Sequence, residues 1–506
     1  MKKIISVLLL FTFLIIAVLA GISCGKAGNE TESNKTNQAD DSNNNDGSND
    51  DIGENQAETP NSKLPPPELP EIDLKGGKFI IASNDYSIPI WAQRDIGAAE
   101  ETGDTINDAV YKRNSLVEDK FNCIITENKL SDVPGQVKKL VKAGDASMDA
   151  ACVRLRNLSD LASSNNLAEF KNLTYINLEN QWWDQNCVKD LSIDYKVFGV
   201  ASDMTLMDKD STSAMVFNKK LQADYSIENL YGLVNDGKWT IDKLLELCKV
   251  VSIDVDGNGK RDDKDAYGLL YQRDTMTSFL SGCGEFVGGK NENDLPVLTL
   301  NTPKAFEVLD KLYDILYDDQ YCFHVMKFWK NDNDWTPGMN GIFQDDRALF
   351  MWIRMADVEN LRNMDTDFGI LPIPKYNEQQ DIYLQTVNPY VGVVTAVPQC
   401  AASFDTSSAV LEYMAYESKY ILQPAYYEVV LNNKIARDEE SGKMLDIIFA
   451  NRAYDVGDVF DFNGLGSDVL NMTMTFDRNI VSKYEKKESG ALKAIDKLVE
   501  KIQAIE

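Results

Sequence analysis

The chain has 506 residues, of which 80 are acidic and 51 are Lys or Arg, and its formal net charge at pH 7 is -29. Such an acidic surface is repelled by phosphate backbones, so the composition excludes nucleic acid as a partner and favours a soluble exterior. The single histidine, His324, excludes histidine-based catalytic triads and zinc sites built on two histidines. We therefore expect no enzyme of those classes.

The N-terminus has the pattern of an export signal. Lys2 and Lys3 precede an apolar run over residues 4–22, and Cys24 follows it. This arrangement predicts a lipoprotein signal peptide over residues 1–24, with lipid attached at Cys24. Gly21 and Ser23 depart from the residues usual before such a cysteine, so an uncleaved membrane anchor is the alternative. In both cases the charges of Lys2 and Lys3 direct the rest of the chain to the outer side.

Residues 25–75 lack aromatic side chains and are rich in Asn, Asp, Ser, Glu and Gly. A segment of this composition buries too little apolar surface to offset the entropy of ordering. We expect a disordered tether with a typical reach on the order of 40 Å.

The remaining chain exceeds the size at which a single core stops growing, so we expect two domains. Its first part alternates between predicted strands and helices: strands at 78–82, 123–126 and 148–155, and helices at 104–120 and through 137–141. This order predicts an α/β lobe with a parallel sheet, whose ligands bind at the carboxyl ends of the strands. Cys24 aside, the seven cysteines lack regular spacing, and we expect buried thiols.

Residues 254–265 match the ligand spacing of a twelve-residue calcium loop. Oxygen-bearing side chains occupy positions 1, 3, 5, 9 and 12, Gly259 occupies position 6, and position 7 offers its carbonyl. The predicted calcium ligands are Asp254, Asp256, Asn258, Lys260, Asp262 and Asp265. Asp at position 12 is shorter than the usual Glu, and a polar surface turn without metal is the alternative. A helix with Thr240 as its N-cap precedes the loop and a strand follows, so the loop is expected to be a structural clip.

Several segments resemble one family. They are GKWTIDKLLELCK from Gly237, DVDGNGKRDDKDAYGL from Asp254, GDTINDAVYKRN from Gly103, VFNKKL from Val216, FQDDRALFMW from Phe343 and DFGILPIPKYNEQQDIY from Asp367. Together they are similar to the extracellular solute-binding proteins of bacterial ABC importers, family 1-like and carbohydrate-type, in their clostridial-type lipoprotein form. The resemblance covers most of the chain after residue 75 and does not identify the ligand.

The resemblance implies a two-lobed, periplasmic-binding-protein-like α/β fold of type II, with a hinge and an interlobe cleft. It implies one lobe over residues 76–217 plus 346–395, with Phe368–Ile373 rejoining the first sheet. The second, mostly helical lobe would comprise 218–345 plus 396–506. We expect a monomer, lipid-anchored on the extracellular face of the membrane, that delivers its ligand to the transmembrane subunits of an ABC permease and performs no covalent step.

Aromatic and arginine side chains point to the ligand. Several Trp residues lie among polar neighbours, where an indole can stack on the C–H face of a sugar ring. The resemblance places Arg154, Arg156 and Arg354 in loops facing the ligand. They would bind an acidic group of the ligand through paired hydrogen bonds, and the alternative is that they form ion pairs with surface carboxylates. The expected ligand residues are Trp91, Arg154, Arg156, Trp182, Trp183, Asp203, Trp335, Trp352, Arg354 and Tyr390. An oligosaccharide is the favoured ligand; a peptide or other polar solute is the alternative, and a glycoside hydrolase with two carboxyl groups is the surviving enzyme hypothesis.

Overall fold

The computed structural model describes residues 63–86, 91–328, 332–432 and 439–505. The predicted signal peptide, Cys24 and the tether as far as residue 62 lie outside this range. The strands are β1 Gly77–Asn84, β2 Cys123–Leu130, β3 Ala150–Arg154, β4 Ser213–Asn218, β5 Tyr267–Tyr271, β6 Gly288–Lys290, β7 Pro296–Leu298, β8 Cys322–His324, β9 Ala348–Arg354, β10 Phe368–Leu371, β11 Gln385–Thr386, β12 Val393–Ala396 and β13 Arg452–Ala453. No helix within the described residues is long and apolar enough to span a bilayer.

Helices occupy much of the remainder. They are α1 Thr105–Phe121, α2 Val133–Ala143, α3 Leu155–Ser163, α4 Gln185–Leu191, α5 Met207–Asp210, α6 Lys219–Asp224, α7 Leu230–Asn235, α8 Ile241–Val251, α9 Thr275–Gly282, α10 Pro303–Leu316, α11 Val325–Phe328, α12 Asp332–Gln344, α13 Phe404–Asn432, α14 Glu439–Ala450, α15 Val456–Val459, α16 Leu465–Leu470, α17 Met472–Thr475 and α18 Ile480–Gln503. Short 3-10 helices lie at Phe170–Asn172, Met355–Leu361 and Phe462–Gly464.

The first sheet has the strand order β12-β3-β1-β2. β1 runs parallel to β2 and β3, while β12 is antiparallel to β3. Between β1 and β2 lies α1, whose N-cap Asp104 accepts a hydrogen bond from the N–H of Asn107. The predicted β-α-β-α-β order is confirmed, because the chain runs β1, α1, β2, α2, β3 and these three strands lie parallel in one sheet.

The second sheet has the order β10-β4-β9-β5-β8. The prediction that Phe368–Ile373 rejoins the first sheet is wrong, since β10 pairs antiparallel with β4 in the second. The predicted bounds also assign β4 and β9 to the first lobe, yet β9 pairs antiparallel with β4 and parallel with β5. Buried strands of both sheets are built from the same types of apolar residue, so the composition of a strand cannot assign it to one sheet or the other.

The C-terminal part is largely helical, as expected, but it is not confined to the second lobe. Tyr413 of α13 packs edge-on against Phe121 of α1, with ring centroids 6.0 Å apart, and Ser407 donates to the backbone oxygen of Asp149. Lys63 and Leu64 bond to the same helix: the Lys63 ammonium lies 2.7 Å from a Glu417 oxygen, and Tyr416 donates to the Leu64 carbonyl. Residues 63 and 64 and the first half of α13 therefore belong with the first sheet.

His324 is a packed residue. It is 1% exposed, and its ring lies 4.8 Å from the Tyr271 ring and 5.2 Å from the Phe476 ring. Burial lowers the pKa of this imidazole to about 3, so it is neutral at physiological pH. Of the seven cysteines that follow Cys24, six are buried free thiols and Cys400 is half-buried.

Candidate functional site

Side chains that follow strands of both sheets meet at Tyr390, in the segment that leads into β12. The guanidinium of Arg156, just after β3, lies over the Tyr390 ring at 4.8 Å, and that of Arg273, just after β5, lies at 5.9 Å. Tyr86, just after β1, donates to the Tyr390 carbonyl at 3.5 Å. Because β1 and β3 are parallel, their carboxyl ends share one edge, which is where ligands bind in open α/β sheets.

On the first-sheet side, Asn84, Tyr86 and Arg154 form a connected group. The Asn84 amide donates to the Cys152 carbonyl at 2.9 Å, and its oxygen accepts from Nε of Arg154 at 3.2 Å. The Arg154 guanidinium lies over the Tyr86 ring at 4.2 Å. Burial raises the pKa of Tyr86 to about 12, although the charge of Arg154 opposes the shift, so the phenol remains a hydrogen-bond donor.

On the second-sheet side, Arg354 connects three groups at the end of β9. Its guanidinium lies over the Trp91 ring at 4.4 Å, its Nε lies 3.4 Å from Oδ2 of Asp357, and its Nη1 lies 3.8 Å from Oδ2 of Asp274. The same oxygen of Asp274 accepts from the side-chain amide of Asn388 at 2.8 Å. Asp274 and Asp357 thus hold the arginine in place beside the indole.

A third group comes from the C-terminal part of the chain. Arg156 donates to the backbone oxygen of Asp458, to Oδ2 of Asp461 and to the hydroxyl of Ser467. The Asp458 carboxyl is 4% exposed, and its Oδ1 has no hydrogen-bond partner. Burial, reinforced by the neighbouring charge of Asp455, raises the pKa of Asp458 to about 8. At neutral pH this carboxyl keeps its proton and can donate a hydrogen bond.

These groups border one narrow cavity of about 10 Å³, room for about one water, hereafter the Tyr390 cavity. It is lined by Ser213, Asp274, Thr277, Ser278, Thr386, Asn388, Pro389, Tyr390, Asp458 and Leu470. Hydroxyl, amide and carboxyl groups therefore surround a phenol ring and a leucine. Such a lining suits a solute that presents both hydroxyl groups and C–H faces.

Five of the expected ligand residues reach this region: Trp91, Arg154, Arg156, Arg354 and Tyr390. Trp352 is buried, and it lines a second cavity next to Arg354. Trp335 lies in α12, and its side chain is outside the described part of the chain.

The structure corrects the prediction for Trp182 and Trp183. Both indoles are buried, and they donate to the two oxygens of Glu412 at 3.1 and 2.8 Å. Their N–H groups are already bonded within the protein, so both are packing residues between this segment and α13. Asp203 belongs to the same neighbourhood: it pairs with Lys209 at 3.3 Å, and its N–H donates to the Trp182 carbonyl.

Sequence reasoning missed Arg273, Asp274, Asn388 and Asp458. The first two follow the end of β5, so the rule that ligands meet strand ends could have found them. Asn388 stands two residues before Tyr390 and could have been included with it. Asp458 lies in the four-residue helix α15, which has no periodic pattern to mark it.

The predicted calcium loop folds as expected between α8 and β5. The carboxylates of Asp254, Asp256 and Asp265 each bring an oxygen within 4.8 Å of the others. Asp254 accepts from the N–H groups of Gly257 and Gly259, each at 2.8 Å, and Gly259 has the positive φ of 75° that the tight turn requires. Asp262 is outside this group of three and caps the turn at Lys264. An all-oxygen donor set that includes the buried Asp265 fits a hard cation.

Comparison with known proteins bears on the fold. No family model matches the sequence, and no curated protein is similar to it. Among solved structures, the chain is similar to an ABC substrate-binding protein from Listeria monocytogenes in complex with cycloalternan, with 12% identity, coverage of 85% of this chain and 99% of that chain, and a TM-score of 0.50. It is also similar to UspC of M. tuberculosis, with 13% identity, coverage of 82% and 99%, and a TM-score of 0.56.

A cyclo/maltodextrin-binding protein complexed with maltotetraose gives 14% identity, coverage of 85% and 98%, and a TM-score of 0.51. The chain has the two-lobed, periplasmic-binding-protein-like fold. This confirms the predicted fold class, although three strands belong to a different sheet from the one expected. The Tyr390 cavity lies where segments that follow strands of both sheets meet, because Arg156 after β3 and Arg273 after β5 both contact Tyr390.

Proposed function

We propose that the chain is a solute-binding protein of an ABC importer and captures an oligosaccharide between its lobes at Tyr390, where the narrow cavity widens when the lobes open. The observation that carries the proposal is the meeting at Tyr390 of residues that follow β1, β3 and β5. The similarity in fold to proteins holding cycloalternan and maltotetraose supports a sugar. A peptide or another polar solute is the alternative ligand.

Binding would use contacts from both lobes. The ring of Tyr390 offers an apolar face, while Asn388, Ser278 and the protonated Asp458 offer donors and acceptors for ligand hydroxyls. A ligand touching both lobes selects the closed arrangement, because only that arrangement completes its contacts. The closed form would then dock on the permease subunits and release an unchanged ligand.

A calorimetric screen of the purified chain tests this function. The probes are maltotetraose, xylotetraose, mannotetraose, tetragalacturonate and a mixed tripeptide set. We expect binding of at least one tetrasaccharide, with the same molecule recovered intact by mass spectrometry. Binding of tripeptides alone would transfer the proposal to a peptide carrier.

One observation favours a second candidate, a glycoside hydrolase: Asp274 and the protonated Asp458 line the same cavity. Asp274, however, already accepts a hydrogen bond from Asn388 and lies beside Arg354. Its carboxylate is therefore engaged in contacts within the protein. Shortened sugars in the recovered ligand would establish the hydrolase and overturn the binding role.

We further propose that the 254–265 loop holds one calcium ion as a structural clip. The converging oxygens of Asp254, Asp256 and Asp265 support it. Asn258, Lys260 through its carbonyl and Asp262 would complete the coordination, with Asp262 acting through a water. The ion would neutralise these carboxylates and tie the end of α8 to the start of β5.

The cellular setting is also a proposal, supported by the N-terminal sequence and the charge of -29. The chain would be a clostridial-type lipoprotein, a monomer, anchored through Cys24 on the extracellular face of the membrane. Labelling of wild-type cells with a radioactive fatty acid should mark the protein, and Cys24→Ala should abolish the label. An unlabelled wild-type protein in the membrane fraction would instead indicate an uncleaved anchor.

A further inference from the structure

Two tight turns from distant parts of the chain meet side by side. In the first, Ile193 and Lys196 exchange backbone hydrogen bonds of 3.1 and 3.0 Å across the two residues between them. In the second, which connects β6 to β7, the N–H of Asn291 donates to the Leu295 carbonyl at 2.9 Å. We refer to them as the 193–196 turn and the 291–295 turn.

The two turns are attached to different sheets. The 193–196 turn leads to Val200, whose N–H and carbonyl both pair with Thr395 of β12 in the first sheet. The 291–295 turn lies between α9 and α10, and α9 follows β5 of the second sheet. Lys311 of α10 pairs with Asp242 of α8, the helix that precedes β5, at 2.8 Å. Contacts between the turns therefore join the two lobes.

Asp294 makes most of these contacts. Its Oδ2 accepts from the N–H of Tyr195 at 2.8 Å, its Oδ1 accepts from the Ser192 hydroxyl at 3.0 Å, and its carbonyl accepts from the N–H of Asp194 at 3.0 Å. The Lys290 ammonium donates to the same Oδ1 at 2.5 Å and to the Ser192 hydroxyl at 2.7 Å. The side chains of Lys290 and Asp294 are only 14% and 12% exposed, so solvent screens this ion pair less than a surface pair.

The backbone of both turns lies in the left-handed region. The φ angles are 53° at Asp194, 60° at Tyr195 and 60° at Asp294. A bulky residue such as tyrosine rarely adopts this conformation, and it persists only where surrounding contacts fix it. Here those contacts come from the other lobe, since the Tyr195 hydroxyl also donates to the Glu292 carbonyl at 3.2 Å.

A second contact starts from the 193–196 turn. The Lys196 ammonium donates to the Ile502 carbonyl at 3.1 Å and to the Ile505 carbonyl. These carbonyls lie at the C-terminal end of α18, where a positive charge is favourable. At its other end, α18 packs on α10, with the rings of Tyr484 and Phe306 6.4 Å apart. The turn is therefore bonded to a helix as well as to the β6–β7 connection.

We propose that the 193–196 and 291–295 turns form a latch between the lobes, bonded when the lobes are closed and separated when they open. The inference rests on the proposed function and deepens it. None of the latch residues lines the Tyr390 cavity, so the latch and the ligand stabilise the same closed state through different contacts. Loss of the latch should therefore weaken binding although no contact with the ligand is removed.

Asp294→Ala tests the latch, because it removes the carboxylate that accepts from Tyr195, Ser192 and Lys290. The probe is whichever of maltotetraose, xylotetraose, mannotetraose and tetragalacturonate the wild-type chain binds most tightly by calorimetry. We expect about fivefold weaker binding and faster dissociation of the sugar, because the closed state is less populated. Lys196→Met, which breaks the separate contact with α18, should change both quantities in the same direction.

Amide hydrogen exchange reports on the latch directly. In the wild-type chain, the probe sugar should slow exchange at the N–H groups of Asp194 and Tyr195, because closure brings them to their acceptors on Asp294. The slowing at Tyr195 should be lost in Asp294→Ala.

Asp132→Ala is the matched control. The Asp132 carboxylate accepts from the N–H of Gly135 at 3.0 Å and caps α2, a contact within one lobe. This variant should melt at a lower temperature, bind the sugar with unchanged affinity and keep the slowing of exchange at Tyr195.

Unchanged affinity and dissociation in Asp294→Ala, or exchange at Tyr195 that the sugar leaves unchanged, would each overturn the latch and identify a permanent joint. Failure of the wild-type chain to bind any sugar of the panel is a different result, because it removes the proposed function. Small-angle scattering of the ligand-free proteins then decides: a larger radius of gyration for Asp294→Ala than for wild type supports the latch, and equal values overturn it.

Discussion

Asp458 is an acid that carries no charge at neutral pH, and this property makes the stability of the protein depend on pH. In the unfolded chain its carboxyl ionises near pH 3.8, whereas burial and the charge of Asp455 raise the pKa in the fold to about 8. Between these values the folded state holds a proton that the unfolded state has lost. The contribution of this group to stability therefore falls as pH rises from about 4 to about 8.

Asp458→Asn should remove that dependence. The amide cannot ionise, so the free energy of unfolding of the variant should decline less with pH than that of the wild type, by at most about 1.4 kcal/mol per pH unit. Urea denaturation at pH 5, 6, 7 and 8 measures the difference. Asp345→Asn, which changes an exposed carboxylate paired with Arg347, is the control and should parallel the wild type. Parallel curves for Asp458→Asn and wild type would mean that the buried carboxyl is ionised.

At the residue scale, the sequence predicted the arginines of the site better than its acids. The resemblance implied that Arg154, Arg156 and Arg354 lie in loops facing the ligand, and all three reach the region around Tyr390. The environment of Asp458 is set by residues distant in sequence, including Arg156, which bonds to its backbone 302 positions away. The same limitation explains Trp182: its polar neighbours suggested a cleft, but its partner Glu412 is 230 positions along the chain.

At the scale of elements, Glu412 of α13 fixes the segment 177–183. The carboxylate accepts from the side chains of Asn180, Trp182 and Trp183 and from the N–H of Asn177, and it is fully buried. Burial raises the pKa of this carboxyl, while the four donors oppose the shift.

Glu412→Ala should lower the free energy of unfolding by about 3 kcal/mol, because it leaves two buried indole N–H groups without acceptors. Glu412→Gln keeps one acceptor oxygen and should cost about 1 kcal/mol. The measurement is urea denaturation at pH 7. Glu307→Ala, which removes an exposed carboxylate bonded to Tyr376, is the control and should have little effect. An Ala variant as stable as wild type would show that the segment is held by packing alone.

The loop between α8 and β5 gives a prediction about metal. Calcium should raise the melting temperature and EDTA should reverse the rise, because an ion that binds only the folded loop stabilises it by mass action. Tyr267 donates to the Asp262 carbonyl at 2.9 Å, so it should sensitise the luminescence of terbium bound in the loop. Asp256→Ala should abolish both effects, whereas Asp263→Ala, at a position with no predicted ligand side chain, should keep them. A melting temperature insensitive to EDTA, without terbium luminescence, would identify a bare turn.

The elements themselves were largely predictable, but their arrangement was not. The Thr240 cap of α8 and the helix at 104–120 are local patterns of sequence, and the structure has both of them. The sheet to which β4, β9 and β10 belong depends on pairing between distant segments, which no local pattern records. The bounds of the two lobes were drawn from resemblance, and they erred at these strands.

At the scale of the whole molecule, ligand binding should reduce the radius of gyration. The Tyr390 cavity takes lining from segments around strands of both sheets, so a ligand there is enclosed only when the lobes are closed together. Small-angle scattering of the chain, with and without saturating amounts of the tightest-binding tetrasaccharide, measures the change. A second experiment with a disaccharide of the same sugar should give a smaller change. Identical scattering curves with bound tetrasaccharide would contradict closure.

The order of strands also has a consequence for how the protein is made. The first sheet starts with β1 at Gly77 and is completed only by β12 at Val393–Ala396, about 300 residues later in synthesis. Until the ribosome has delivered that strand, the edge of β3 has no neighbour, and contacts so distant in sequence form slowly. The first sheet therefore gains its fourth strand only after most of the chain has been synthesised, and β3 keeps an unpaired edge until then.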